Sequence, residues 1–199
     1  PAGQPSAPGA AKVEIASHHA LGLDAPARPS TEPCMAIEIE RKFLVTGDGW
    51  RAAPHIRAIT QGYLAVSGPA SVRVRIQDGA ATLTIKGEAE GLVRDEFEYA
   101  VPLADAEDML RLCQQPPIVK KRHEIVHAGK LWQVDLFEGA LAGLVIAEIE
   151  LNHADEVIEL PDWVGREVTA DRRYRNSSLI RSGLAGLSLD DGRLRRSTG

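Results

Sequence analysis

Charged residues recur at every second position in several segments of this chain, often as pairs of one sign, and alternate there with apolar residues. In IEIERKFLV, residues 37–45, the charged residues Glu38, Glu40 and Lys42 alternate with apolar residues such as Ile39. Because successive side chains of a β-strand point to opposite faces, this pattern predicts a strand with one apolar face and one charged face. The charged face of such a strand needs an explanation.

Eight segments have strand character, and short turn sequences join some of them. Asp78-Gly79 is typical of a tight hairpin turn, and Ala128-Gly129 is predicted to join a second pair of strands. The eight segments are 36–45, 58–66, 71–77, 80–86, 93–101, 118–126, 131–137 and 144–152. The chain is therefore predicted to be mainly β (α+β), as a barrel or a strongly curved antiparallel sheet.

A few flanking helices complete the predicted fold. The segment 103–115 has apolar residues at helical spacing, and Pro116-Pro117 ends it. A second helix is predicted to begin near Asn176, which is a favourable N-cap residue. A third, short helix is predicted at 47–54.

The charged faces carry doublets of one sign rather than mixed charges. A sheet with one solvated face accounts for any single strand, but solvated sheets usually mix signs to form favourable cross-strand pairs. Two like charges about 7 Å apart repel by roughly 2 kcal/mol at an effective dielectric constant of about 20. A ligand would offset this cost. The doublets are Glu38/Glu40, Arg73/Arg75, Glu96/Glu98, Lys120/Arg122 and Glu148/Glu150.

The two kinds of doublet suit two kinds of ligand. Paired carboxylates from different strands provide the oxygen ligands that Mg²⁺ or Mn²⁺ prefers. Clustered arginine and lysine residues suit the oxygens of an extended phosphate anion. If the strands close into a barrel with the charged faces inward, the result is a polar tunnel that binds a polyanion together with its metal.

Composition restricts the class of protein. The chain has 199 residues, of which 26% are charged and 44% hydrophobic, with a net charge of −5, which fits one soluble globular domain. The sequence has no basic tail of the kind that binds a nucleic acid polymer, and it has no apolar stretch of the kind that spans a membrane. Cys34 and Cys113 form no disulfide framework, so the cytoplasm is the predicted location.

The two ends of the chain differ from its centre. Residues 1–34 are rich in Pro, Ala, Gly and Ser and lack hydrophobic periodicity, so they are predicted to be a disordered N-terminal extension. Met35 precedes the first regular segment and is a candidate natural start. Residues 186–199 are predicted to be a flexible C-terminal tail.

A set of short motifs, taken in order, resembles a known family. Glu38-Ile39-Glu40-Arg41-Lys42 matches the ExExK signature of the CYTH superfamily, the triphosphate tunnel metalloenzymes. Further similar segments are Gln61–Leu64, Arg73/Arg75, Thr84–Gly87, Glu96/Glu98, Lys120/Arg122, Asp135, Glu148/Glu150 and Glu167–Tyr174. The resemblance covers residues 35–185, and the sequence looks most like the bacterial inorganic triphosphatase branch.

This resemblance implies an eight-stranded antiparallel closed β-barrel, a tunnel that binds triphosphate compounds with Mg²⁺ or Mn²⁺. The implied metal ligands are Glu38, Glu40, Glu148 and Glu150, with Asp135 in support. The implied phosphate-binding residues are Lys42, Arg73, Arg75, Lys86, Lys120 and Arg122. Glu96 and Glu98 are expected either at a second metal or against the basic residues. Arg173 is expected to close the tunnel, with Arg172 and Arg175 as competitors.

The predicted activity is hydrolysis of inorganic tripolyphosphate to pyrophosphate and phosphate, by a monomer or a homodimer. Thiamine triphosphatase, nucleoside triphosphatase and class IV-type adenylate cyclase are the alternatives within the family. A non-catalytic polyphosphate- or nucleotide-binding module is the alternative of a different class.

One motif points to another chemistry. His123–His127 spells HExxH, which binds zinc when it lies on a helix. Here the surrounding sequence predicts two strands around a Gly turn, and residues four apart on a strand are about 13 Å apart. The zinc-protease interpretation is therefore rejected.

Overall fold

The computed structural model describes residues 36–66, 70–88, 93–185 and 187, except for the side chains of residues 36–38, 93 and 94. Mainly antiparallel strands with two α-helices make up this part of the chain, as predicted. The strands are β1 Ala36–Val45, β2 His55–Ala65, β3 Ala70–Gln77, β4 Ala80–Gly87, β5 Val93–Ala100, β6 Ile118–His127, β7 Lys130–Phe137, β8 Val145–Glu150 and β9 Val164–Glu167, and the helices are α1 Leu103–Leu112 and α2 Asn176–Ser182.

All eight predicted strands are confirmed, and the prediction missed β9. Asp78-Gly79 and Ala128-Gly129 form the turns between β3 and β4 and between β6 and β7, and all four residues have positive φ angles, from 48° to 81°. Positive φ at both central residues is the geometry of the tight turn that matches the twist of paired strands. The extra strand has only four residues, too few for a visible alternation.

The strands form one antiparallel sheet in the order β5-β4-β3-β2-β6-β7-β8-β1-β9. An additional pairing joins β1 to β5, which is the strand at the other end of this order. The first residues of β1 lie opposite β5, with Ala36 opposite Glu96, and the later residues lie opposite β8, with Glu40 opposite Glu150. The strand β1 therefore contacts three neighbours, because β9 also pairs with its last residues.

Three hydrophobic clusters cover the sheet. One surrounds Trp50, Trp132 and Trp163, which are all buried. A second contains Leu44, Ile118, Phe137 and Ile146 from four strands, together with Tyr174 and Leu179 from the C-terminal segment. The third packs Ala106, Met109 and Leu110 of α1 against Val74 and its neighbours.

The helices match the prediction in place but differ at their ends. Helix α1 ends at Leu112, three residues before the predicted end, and Cys113 is already extended. In α2, Asn176 is the first helical residue and Arg175 occupies the N-cap position, so the prediction of Asn176 as N-cap was wrong. The short helix predicted at 47–54 is a 3-10 turn, Gly49–Ala52.

The predicted end segments fall almost entirely outside the described residues. The extension 1–34 lies wholly outside them. Of the tail 186–199, Leu187 alone is described, and it packs against the second hydrophobic cluster. Within the part of the chain that the structure describes, neither helix has the length and apolar character needed to cross a membrane.

Gly62→Ala is expected to destabilise the fold, because a Cβ at this position in β2 would lie 2.6 Å from Sγ of Cys113 and 3.0 Å from Cδ2 of Leu110. One atom belongs to α1 and the other to the residue that follows it, and both residues pack on the sheet. Overpacking of this kind costs about 1–3 kcal/mol. Gly87→Ala is the matched control, since its Cβ would meet only Asp95, at 3.6 Å. Denaturant unfolding of both variants tests this, and equal stabilities would contradict it.

Candidate active site

One face of the sheet carries polar and charged side chains that are almost completely buried. Cross-strand pairing places them on a common face, with Arg73 opposite Thr84 and Arg122 opposite Asp135. We call this set, together with Lys42 and Arg75, the charged face. Its buried members are Gln61, Arg73, Thr84, Lys120, Arg122, Asp135 and Glu148, none of which exposes more than 7% of its surface.

Arg122 on β6 is the centre of an ion-pair network. It donates from Nε to Oδ1 and from Nη2 to Oδ2 of Asp135, both at 2.7 Å. The Nη2 atom also donates to Oε2 of Glu148 at 2.7 Å, and Nη1 donates to Oε1 of Gln133 at 2.6 Å. Burial disfavours the charged form of Asp135, but Arg122 and Lys120 outweigh it, so the pKa of Asp135 lies below its ordinary value. Asp135 is therefore ionised at neutral pH.

Lys120 shares the carboxylate of Asp135 with Arg122. Its Nζ donates a short hydrogen bond to Oδ2 of Asp135, and neither side chain has any solvent exposure. The Nζ also lies 5.4 Å from the centre of the Phe137 ring, within the range of a cation–π contact. Burial and the positive charges of Arg122 and Arg75 lower the pKa of Lys120 to about 8, although Asp135 acts in the opposite direction. Lys120 therefore remains mostly protonated at neutral pH.

Lys42 on β1 bridges two carboxylates. Its Nζ lies 2.5 Å from Oε1 of Glu148 and 2.8 Å from Oε1 of Glu40. The pairing of β1 with β8 explains the contact with Glu148, which lies opposite Lys42, and Glu40 is two residues before Lys42 on the same face of β1. Burial opposes ionisation of Glu148, but Lys42 and Arg122 hold its pKa well below the ordinary value.

The five predicted metal ligands divide into separate groups. The oxygens of Asp135 and Glu148 accept hydrogen bonds from basic side chains. Glu40 and Glu150 face each other across β1 and β8, and two carboxylates fit a divalent cation by their chemistry. The side chain of Glu38 lies outside the described residues. Among the side chains that are described, no three of the types His, Cys, Asp and Glu could hold a metal ion together, so the metal site remains a prediction.

Glu96 and Glu98 on β5 lie against basic residues of β3 and β4. The Nη2 of Arg73 donates to Oγ1 of Thr84 at 3.0 Å, and this hydroxyl donates to Oε2 of Glu98 at 2.9 Å. Arg73 Nη2 is also 3.7 Å from Glu98 and 3.9 Å from Glu96, and Lys86 Nζ is 2.8 Å from Glu96. These contacts match one of the two predicted roles of the acidic pair, the orientation of basic residues.

These ion pairs correct the argument about repulsion. Several members of the like-signed doublets do not remain uncompensated, because they form ion pairs with basic residues on nearby strands. Glu148 meets Lys42 and Arg122, and Glu96 meets Lys86 and Arg73. The inference that a ligand must offset strained doublets was therefore wrong for these pairs, since the alternation within one strand contains no information about its neighbours.

Arg75 has a different environment from the other basic residues. Its Nε and Nη2 both donate to Oε1 of Gln61, each at 3.1 Å. Burial, together with the nearby charges of Arg73 and Arg122, lowers the pKa of Arg75 to about 10. The sequence contained Gln61 within a family-like segment, but no role was predicted for it or for Thr84. The sequence did contain a signal for Gln61, because it lies at alternate spacing from the charged residue Arg57 and therefore on the same face of β2.

Arg173 forms an ion pair with an acidic residue of its own segment. It belongs to a 3-10 turn, Arg172–Tyr174, and its side chain is 53% exposed. Its Nε and Nη2 donate to the carboxylate of Asp171, with the shortest distance 2.6 Å. In this conformation the guanidinium binds a neighbouring carboxylate, and its role in closing the tunnel remains a prediction.

The HExxH motif lies on a strand, as the sequence predicted. Its residues are part of β6, where His123 packs edge-on against Trp50 at 4.7 Å between ring centres, and His127 Nε2 lies 3.5 Å from Glu159. Both histidines are an odd number of positions from Arg122, so they point to the face of β6 opposite the charged face.

Comparison with known proteins gives consistent matches. Residues 36–181 match the family model of the CYTH domain. The chain is 44% identical over 149 residues to an inorganic triphosphatase from Acetivibrio thermocellus, which covers 74% of this chain and 96% of that protein. It is 34% identical over 151 residues to an inorganic triphosphatase from Nitrosomonas europaea, covering 73% and 97%. A crystal structure of an inorganic triphosphatase matches with a TM-score of 0.55 and 32% identity, covering 73% of this chain and 95% of the other.

Proposed function

Because the chain belongs to the CYTH domain family, we propose that it is a hydrolase that cleaves a phosphoanhydride bond of inorganic triphosphate, giving pyrophosphate and phosphate. The observation that carries this proposal is the cluster of buried basic side chains on the charged face, in a chain that is similar over most of its length to inorganic triphosphatases. Buried arginine and lysine residues are the groups that bind phosphate oxygens most strongly.

We also propose that β1 to β8 close into a tunnel with the charged face inside. The pairing of β1 with both β5 and β8 supports closure. The strand β5 is at one end of the sheet order and β1 is next to the other end, so their pairing joins the two ends of the sheet. Long-range charge effects support it too. The pKa of Arg75 on β3 is shifted by the charges of Arg122, Asp135 and Glu148, which belong to strands two to four places away in the sheet order.

One end of the proposed tunnel is apolar. Leu44 and Ile146 lie opposite each other on β1 and β8. Each is two residues from Lys42 or Glu148, so both point to the same face of the sheet as those charged residues. They pack with Tyr174 and Leu179 of the C-terminal segment. We propose that this packing forms an apolar plug beside the basic residues, and that a charged substrate enters from the opposite end.

Within the tunnel the basic side chains hold the phosphate chain. Asp135 and Glu148 fix the positions of Lys120, Arg122 and Lys42, so these cations are arranged before the substrate arrives. We assign Asp135 this orienting role because its oxygens are bound by Lys120 and Arg122. Fixed cations stabilise the charge that develops on the leaving pyrophosphate without having to reorganise.

A divalent metal fits the acidic side of this site. Glu40 and Glu150, with Glu38 two residues earlier on β1, would hold Mg²⁺ or Mn²⁺, which supplies neutralisation of phosphate oxygens and a polarised water molecule. The monomer or homodimer state and the cytoplasmic location remain predictions.

Purified protein is expected to release phosphate from inorganic triphosphate when Mg²⁺ or Mn²⁺ is added, and to lose this activity with a chelator. ATP, thiamine triphosphate and pyrophosphate, each tested with Mg²⁺, Mn²⁺ and Ca²⁺, are the comparison substrates. If kcat/KM is higher for ATP or thiamine triphosphate than for inorganic triphosphate, that compound is the preferred substrate and the proposed substrate is wrong. Tight binding of triphosphate without turnover under every metal would identify a binding module instead.

A further inference from the structure

A buried amide on the charged face has a donor without an acceptor. Gln61 on β2 has no solvent exposure, and its Oε1 accepts two hydrogen bonds from Arg75. Because a guanidinium can only donate, Oε1 must be the amide atom that faces Arg75, and this contact sets the orientation of the amide. The Nε2 atom is then directed elsewhere, and among the described residues it has no hydrogen-bond partner.

A second donor of the same kind lies close by. Nε of Arg73 is buried and also has no partner among the described residues, although Nη2 of the same side chain binds Thr84. Gln61 is opposite Arg75, and Arg73 is two residues before Arg75 on the same face of β3. Such diagonal neighbours are about 7–8 Å apart at their backbones, within the span of one phosphate chain.

The charge of this region also differs from that of its surroundings. Lys42, Lys120 and Arg122 each bind a carboxylate. Among the side chains that the structure describes, Arg75 has no carboxylate partner, and its hydrogen bonds go to the neutral Gln61. Two buried donors without acceptors among the described residues, beside an arginine whose hydrogen bonds go to a neutral amide, are suited to an anion.

We propose that Gln61 is a substrate-binding residue, which donates from Nε2 to a phosphate oxygen of the substrate while its Oε1 holds Arg75 in place. Arg73 Nε supplies the second hydrogen bond of the same subsite. This inference rests on the proposed function, because it takes the anion to be a phosphate group of inorganic triphosphate. The neutral amide serves both partners at once, which a carboxylate at this position cannot do.

Two substitutions separate substrate binding from a purely structural role. Gln61→Glu keeps an oxygen acceptor for Arg75 but removes the donor and directs a negative charge at the anion. It is expected to raise the KM for triphosphate at least about tenfold, with a smaller change in kcat, and to leave the melting temperature equal or higher. Gln61→Met removes both the donor and the acceptor and is also expected to raise KM. Gln114→Glu, at an exposed position after α1, controls for the added charge.

A purely structural role predicts the opposite order, with near wild-type KM for Gln61→Glu and a defect only for Gln61→Met. That result would overturn the proposal while the proposed function stands. If Gln61→Glu does not fold, an unchanged KM in Gln61→Met is the result that overturns it.

Calorimetric binding of inorganic triphosphate without metal provides a test that does not depend on turnover. The dissociation constant of Gln61→Glu is expected to exceed that of the wild type at least about tenfold. Wild-type binding in this titration, together with no turnover under any of the metals tested, would refute the proposed function. The ratio of dissociation constants would still test the role of Gln61. Absence of both binding and turnover in the wild type would overturn both proposals.

Discussion

Glu40→Gln is expected to reduce metal-dependent hydrolysis of inorganic triphosphate by orders of magnitude, with little change in stability. The side chain lies opposite Glu150 across β1 and β8, where a divalent cation fits two carboxylates. Loss of one anionic ligand weakens metal binding and removes a group that acts on the transition state through that metal. Turnover at saturating Mg²⁺ and calorimetric titration with Mn²⁺ both measure the effect.

The small effect on stability follows from the environment of Lys42. Its ammonium binds Glu40 and Glu148, so it keeps one carboxylate when Glu40 is neutralised. The free energy of unfolding without metal is expected to change by less than the about 3–5 kcal/mol that a buried charge costs when it loses its only partner, because Lys42 keeps Glu148. Glu138→Gln, which removes a surface partner of Lys121, is the control and is expected to retain wild-type turnover. Wild-type turnover and Mn²⁺ affinity in Glu40→Gln would remove Glu40 from the site.

Asp135→Asn is expected to lower the free energy of unfolding by about 3–5 kcal/mol, because it removes one partner of a buried ion-pair network. Asp135 is completely buried and is the acceptor for both Lys120 and Arg122. An asparagine of the same shape has no charge to compensate the two buried cations. Asp48→Asn, at an exposed ion pair with Arg51, is the control for which little change is expected.

The pH dependence of this difference identifies its cause. The pKa of Asp135 in the folded protein is below its ordinary value of 3.8, so the carboxylate contributes its full stabilisation above that pH. The contribution is lost as the pH falls through the folded-state pKa. The difference between wild type and Asp135→Asn is therefore expected to shrink in acid below 3.8. Denaturant unfolding across this range measures it, and a difference that does not depend on pH would indicate lost packing instead of lost charge.

The family and most of the strands were predictable from the sequence, because both depend on local order along the chain. Alternation with a period of two determines which residues share a face, so Lys120 and Arg122 were correctly placed together without a structure. Family motifs keep their spacing within a strand, which is why the ordered set of short motifs that begins with ExExK indicated a resemblance that the family match confirms. The four-residue strand β9 was missed because it is too short for alternation to appear.

The tertiary structure alone decided which charges meet. Pairing between strands distant in sequence places Lys42 opposite Glu148 and Gln61 opposite Arg75, and no pattern within either strand specifies that register. The resemblance implied a supporting role at the metal for Asp135, and its contacts with Lys120 and Arg122 became visible only in the fold. Burial is also a property of the whole fold. A neutral glutamine among arginines is unremarkable in a sequence, and it becomes a candidate binding residue only when enclosure leaves its amide hydrogens without an acceptor.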